Sequence, residues 1–139
     1  VSGAIEIVAA VIRDVGGRML LVRKRAPRAF LQPGGKRESG EDDLAALSRE
    51  LREELGVALL SAAPLGVFRA PAANETGREV VAAVYETVIG GEPVARAEIV
   101  ELLWLDPAVG AQPGADVAPL TRDHVVPLVR AAHPTVRVA

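Results

Sequence analysis

The segment "PGGKRESGEDDLAALSRELREELGV", residues 33–57, constrains this chain more than any other part of it. Between Gly34 and Val57 stand seven acids (Glu38, Glu41, Asp42, Asp43, Glu50, Glu53, Glu54) and four bases (Lys36, Arg37, Arg49, Arg52). Leu44, Leu47, Leu51 and Leu55 recur at helical spacing and predict one buried stripe. The helix is expected from Glu41 to Leu55, with Ser39 or Gly40 as its cap and Gly56 as a left-handed stop. At 100° per residue, Glu50, Glu53 and Glu54 share a face beside that stripe, at the margin of the core.

Asp42 and Asp43 lie at the end of the helix that favours acids. The three glutamates lie at the other end, where the helix dipole disfavours each by about 0.3–1 kcal/mol. Glu50 and Glu54 also repel one another across one turn. Arg49 can pair with Glu53, but one arginine does not offset three carboxylates. A solvated acidic face is the ordinary explanation of such a helix, yet charge at the unfavourable end argues for a bound divalent cation. Mg²⁺ takes a few carboxylates together with waters and substrate phosphates. Gly34 and Gly35 let the backbone pass close to such an ion and offer a carbonyl, and Lys36 offers a phosphate partner.

Other metal and phosphate motifs do not compete. There is no P-loop pattern, since Gly40 is followed by Glu41, and no EF-hand or HExxH spacing. Both histidines, His124 and His133, fall near the C-terminal end, and the absence of cysteine excludes disulfides, thiolate zinc sites and cysteine nucleophiles. A cysteine-free chain also fits a cytoplasmic location. A net charge of −2 gives no electrostatic case for binding nucleic acid or a membrane surface. No apolar run reaches the length of a membrane span, and the start, with Glu6 in its apolar stretch and no basic region, does not read as a signal peptide. The first residue is Val1, which suggests a trimmed start.

The remainder reads as one mixed domain over residues 1–139. "AIEIVAAVIRD" and "RMLLVRK" are strands joined by a hairpin signal at Asp14-Val15-Gly16-Gly17. "REVVAAVYETVI" and "EIVELLWL" are further strands. "LTRDHVVPLVRAAH" is a last helix, capped by Thr121 and kinked at Pro127.

Gly35, five residues, Glu41, seven residues, then Arg49-Glu50-Leu51-Arg52-Glu53-Glu54-Leu55-Gly56-Val57 reproduces every position of the pattern G-x5-E-x7-R-E-U-x-E-E-x-G-U. The chain therefore resembles the Nudix hydrolases, with weaker similarity from Ala4 to about Pro107. The resemblance implies an α+β architecture, an α/β/α sandwich with a mixed β-sheet between helices. It also implies hydrolysis of a nucleoside diphosphate linked to another moiety, with a small-molecule nucleotide as partner; a homodimer is compatible with it. Carried over by position, Glu50, Glu53, Glu54 and the Gly34 carbonyl would bind Mg²⁺, with Mn²⁺ as the alternative. Glu53 and Arg49 are expected in the catalytic set, Arg49 orienting the glutamates, while Gly35, Glu41 and Gly56 shape the loop–helix–loop. Several relatives draw a further carboxylate from ahead of the tryptophan-bearing strand. Here Glu98 is favoured over Glu101, which lies in the strand body and has the opposite parity.

Substrate marks are fewer. There is no coenzyme-A signature, and "Ala73-Asn74-Glu75" stands where dinucleoside-polyphosphate enzymes carry a tyrosine. Pro71 falls short of the proline position of ADP-sugar enzymes. By default the chain resembles nucleoside-triphosphate pyrophosphohydrolases, including sanitisers of oxidised nucleotides. The alternatives are an NDP-sugar or ADP-ribose hydrolase and a catalytically inactive nucleotide-sensing domain. An isoprenoid-diphosphate isomerase would need a cysteine. Arg23, Lys24, Arg25 and Arg28 form a cationic strand end that can steer phosphates, with Arg23 and Arg25 singled out beside Lys36 for substrate binding. Phe30 can stack on a base or sit at the edge of the core.

Overall fold

The computed structural model of the protein describes residues 3–25, 29–73, 75–108 and 116–132. Arg28, Asn74 and His133, named above, lie outside them. The elements run β1 (Ile5–Val11), β2 (Met19–Lys24), β3 (Phe30–Leu31), β4 (Gly34–Gly35), α1 (Asp43–Leu55), β5 (Ala58–Pro71), β6 (Glu79–Gly90), β7 (Ile99–Leu105) and α2 (Val126–Ala132). A π-helical turn at Thr121–Val125 precedes α2.

One sheet has the order β4-β1-β6-β5, in which β1 and β6 are parallel and the other neighbours antiparallel. The second, β3-β2-β7, is antiparallel throughout. The strand run "IVAAVI" is continuously apolar because both of its faces are covered. Val8, Ala10 and Ile12 pack with Leu20 and Val22 of β2 against Ala46, Leu47, Leu51 and Leu55 of α1. Ala9 and Val11 pack with Met19 and Leu21 on the opposite side, against Val125, Val126 and Val129. Strand alternation thus feeds two cores, one under each helix, and places mixed β-structure between helices, as the resemblance implies.

Three local expectations need correction. β1 and β2 do not form an extended hairpin. Their turn closes, with the Gly17 N–H donating to Asp14 O at 3.0 Å, but pairing stops at Arg13 and Met19, and each strand then joins a different sheet. Helix α1 starts later than expected, capped not by Ser39 or Gly40 but by Asp42, whose side chain accepts from the Ala45 N–H at 2.8 Å. Its buried face is turned toward Ala46 and Glu54, leaving Leu44 42% exposed. At the last helix, Thr121 is not a cap: its hydroxyl donates to the buried Gln32 side chain at 2.7 Å. The irregularity ahead of Pro127 is a π turn, with the Val126 N–H reaching back to Thr121 O.

The expected stop at Gly56 is present at φ +69°, with its N–H donating to Arg52 O. Among the described residues, no helix is long and apolar enough to cross a membrane.

Candidate functional site

The C-terminal half of α1 lies against the two glycines of β4. Gly34 has φ +145°, and a Cβ there would fall 2.1 Å from Val8 O, so only glycine fits. A Cβ on Gly35 would lie 2.3 Å from Glu50 Oε2. Without side chains on β4, the helix comes close enough to bury Glu54 beneath it.

The three glutamates end in different surroundings. Glu54 is 2% exposed; one oxygen accepts from the Gly34 N–H at 3.3 Å, and the other, Oε2, is buried with no hydrogen-bond partner. Burial, reinforced by the neighbouring Glu50 charge, pushes its carboxyl up to about 8. Glu50 is half-buried and also shifted upward by desolvation, opposed by Arg49. The Glu53 side chain is 54% exposed.

Arg49 is the hub. It donates to both oxygens of Glu41, at 2.7 and 2.9 Å, and reaches Glu50 and Glu53 at 3.2 Å each. It also donates to Lys36 O at 3.0 Å, which ties the loop to the helix. The guanidinium lowers the Glu41 carboxyl to about 2, helped by the Glu38 N–H. Glu41 in turn raises Arg49 further above its already high value. Among the described residues no three acidic or histidine side chains already converge on one point. Even so, the donor set fits a hard divalent ion: oxygens only, including a buried Glu54 oxygen that no hydrogen-bond donor occupies.

Beside this helix end opens a cleft of about 320 Å³. Lys24, Lys36, Glu50, Glu75 and Glu98 bring charge to its lining, beside Gly34 and Gly35, and aliphatic residues including Ile5, Ile7, Leu31 and Leu120 form its walls. Glu98 lines the cleft and pairs with Lys24 at 3.4 Å. Glu101 instead pairs with Arg23 at 2.9 Å across the strands.

Arg23, Arg25 and Phe30 are not brought to the cleft. Arg23 is held by Glu101 and lies 6.0 Å from the Phe30 ring; Phe30 is buried in the core on the α2 side; Arg25 is exposed. The strand-end cation that does face the cleft is Lys24. Alternation along β2 carries the signal, since residue 24 must point opposite to 23. Gln32, buried under the cleft, was not anticipated: its amide donates to Ala10 O and its carbonyl accepts from Thr121, joining β1 to the π turn.

The NUDIX domain model matches residues 5–124. A curated 8-oxo-dGTP diphosphatase from Haemophilus influenzae is 39% identical over 62 residues, covering 42% of this chain and 46% of that protein, so the match spans less than half of the relative's length. A MutT NUDIX hydrolase from Burkholderia pseudomallei superposes with TM-score 0.71 at 29% identity, over 92% of this chain and 96% of the other. A NUDIX hydrolase from Nitrosomonas europaea gives 0.73 at 25% identity, over 97% and 92%. With the sequence pattern, the fold and the family model agreeing over most of its length, the chain belongs to the NUDIX domain family.

Proposed function

We propose that the protein is a divalent-metal-dependent pyrophosphohydrolase. It would cleave a diphosphate linkage in a nucleoside diphosphate derivative, with a (d)NTP or modified nucleotide as favoured substrate and a nucleoside monophosphate as product. The observation that carries this is the buried Glu54 carboxylate, one oxygen on the Gly34 N–H and the other unpartnered, at the edge of a cleft holding Lys24, Lys36 and Glu98. The 8-oxo-dGTP named for the Haemophilus influenzae relative supports the nucleotide assignment.

Glu50, Glu53, Glu54 and the Gly34 carbonyl would hold Mg²⁺ or Mn²⁺, which when bound offsets diphosphate charge and activates a water for in-line attack. Lys24 and Lys36 bind phosphate oxygens from the lining of the cleft. Arg49, anchored on both oxygens of Glu41, keeps Glu50 and Glu53 oriented without occupying Glu54. Glu98 accepts the proton of the attacking water, and its pairing with Lys24 holds it at the cleft. The aliphatic walls exclude water from the rest of the nucleotide. We place this activity in the cytoplasm.

The deciding experiment is a panel of (d)NTPs, NDP-sugars, ADP-ribose and dinucleotides with Mg²⁺, scored for phosphate, pyrophosphate and nucleoside monophosphate. Monophosphate and pyrophosphate from a triphosphate is the expected result. Hydrolysis of simple phosphomonoesters with every diphosphate compound untouched would overturn the proposal.

A further inference from the structure

Among the described residues Ala97 is the only non-glycine residue at positive φ, +54°. It is exposed, so no packing of its methyl group explains the conformation. It occupies the first central position of a tight turn closed by the Ile99 N–H donating to Arg96 O at 2.9 Å, and the second central residue is Glu98. A turn with positive φ at its first central position alone is ordinarily built on glycine.

The segment leading into this turn is fastened to α1. The Val94 N–H donates to Leu55 O at 3.0 Å, and the Arg96 N–H to Glu54 O at 2.9 Å, satisfying carbonyls that a helix end leaves open. The Arg96 side chain lies over Gly56, where a Cβ would meet its Nη1 at 2.6 Å and its Cδ at 3.0 Å. Glu98 is therefore referenced, through two peptide units, to the backbone of the residue that supplies the buried carboxylate.

We propose that Ala97 is a positioning residue: its left-handed backbone, on a strap anchored to the end of α1, turns Glu98 into the cleft at a fixed distance from Glu54. This rests on the role given above to Glu98. Outlying backbone angles persist where the surroundings impose them, and here two hydrogen bonds to the helix end on one side and strand β7 on the other do so. A residue that resists the left-handed region would change the turn type and swing Glu98 away.

The test is the series Ala97→Gly, Ala97→Asn, Ala97→Thr and Ala97→Val, each made with Glu98 intact and with Glu98→Gln. The panel substrate giving the fastest monophosphate release is used throughout. With Glu98 intact, Gly and Asn are expected within about twofold of wild-type kcat. Thr and Val should fall by at least about tenfold, with KM within about twofold. With Glu98→Gln, already slow, the four should be indistinguishable. Amide hydrogen exchange of the metal-free protein supplies a readout independent of turnover. The Ile99 N–H should stay protected in the Gly and Asn variants and lose protection in Thr and Val. If Ala97→Val does not fold, Ala97→Thr carries the comparison. Wild-type kcat in Thr and Val, or an undiminished loss in the Glu98→Gln background, would overturn the proposal. A Glu98→Gln enzyme with wild-type kcat would instead remove the role of Glu98, and this proposal with it; only that failure leaves Glu98→Gln fully active.

Discussion

Glu54 is the residue at which folding and binding conflict. Its carboxylate is nearly out of reach of water, faces another acid, and has one oxygen with no donor. Glu54→Gln should therefore lower kcat by at least about a hundredfold while leaving the metal-free protein no less stable than wild type. Activity assays beside denaturant melts in EDTA would show it, and a Gln variant that unfolds at lower denaturant would refute the second half. The two glycines above it should separate in the same way. Gly34→Ala drives a methyl into the Val8 carbonyl and should cost at least about 2 kcal/mol. Gly35→Ala meets the carboxylate end of the Glu50 side chain rather than backbone, so it should lose activity by displacing that carboxylate and cost less stability than Gly34→Ala. Equal destabilisation of the two variants would contradict this.

Helix α1 shows what the spacing of residues could and could not convey. Glu41, Arg49, Glu50, Glu53 and Glu54 fall at positions that fix them on one helix and its entry loop, and the Arg49–Glu41 fork follows from that. Which glutamate is buried does not follow, because the rotation of the helix is set by the bare backbone of β4, a tertiary partner from outside the helix. The same contact exposes Leu44 and lets Asp43 turn inward, where it accepts from Tyr85 of β6 and from Arg37, itself tied to Glu6 of β1. With Asp43 so engaged, the cap passes to Asp42. Asp42→Ala should cost about 1 kcal/mol in chemical unfolding and leave kcat near wild type, since no cleft group depends on it. An unchanged midpoint would return the cap to Ser39 or Gly40. On β2, alternation alone distinguishes Lys24 from Arg23, whereas a grouping by charge merges them.

At the scale of the whole molecule, β1 and β2 divide their residues between two cores, and the buried acid sits where the α1-side core meets the cleft. The double burial was legible in the unbroken apolar run of β1, but the split into two sheets was not. A turn signal at Asp14–Gly17 carries no information about which sheet each strand joins afterwards. The arrangement couples global stability to the site. Glu54 titrates near 8 in the folded protein against 4.5 as an ordinary glutamate, so the folded state holds its proton more tightly. The stabilisation from this one group is fully present below pH 4.5 and is lost as pH rises through 8, by an amount on the order of a few kcal/mol without metal. A divalent ion takes the deprotonated form, so its affinity rises over the same window, and at about a hundred times Kd it adds about 2.7 kcal/mol. Melting curves in Mg²⁺ and in EDTA should accordingly diverge as pH increases. In Glu54→Gln the EDTA curve should lose this downward slope and the gap between the two conditions should shrink. Superimposable wild-type melts in Mg²⁺ and EDTA at pH 8, together with equal turnover in the two, would remove the metal from the site. A gap that persisted undiminished in Glu54→Gln would place the ion on other ligands than the buried carboxylate.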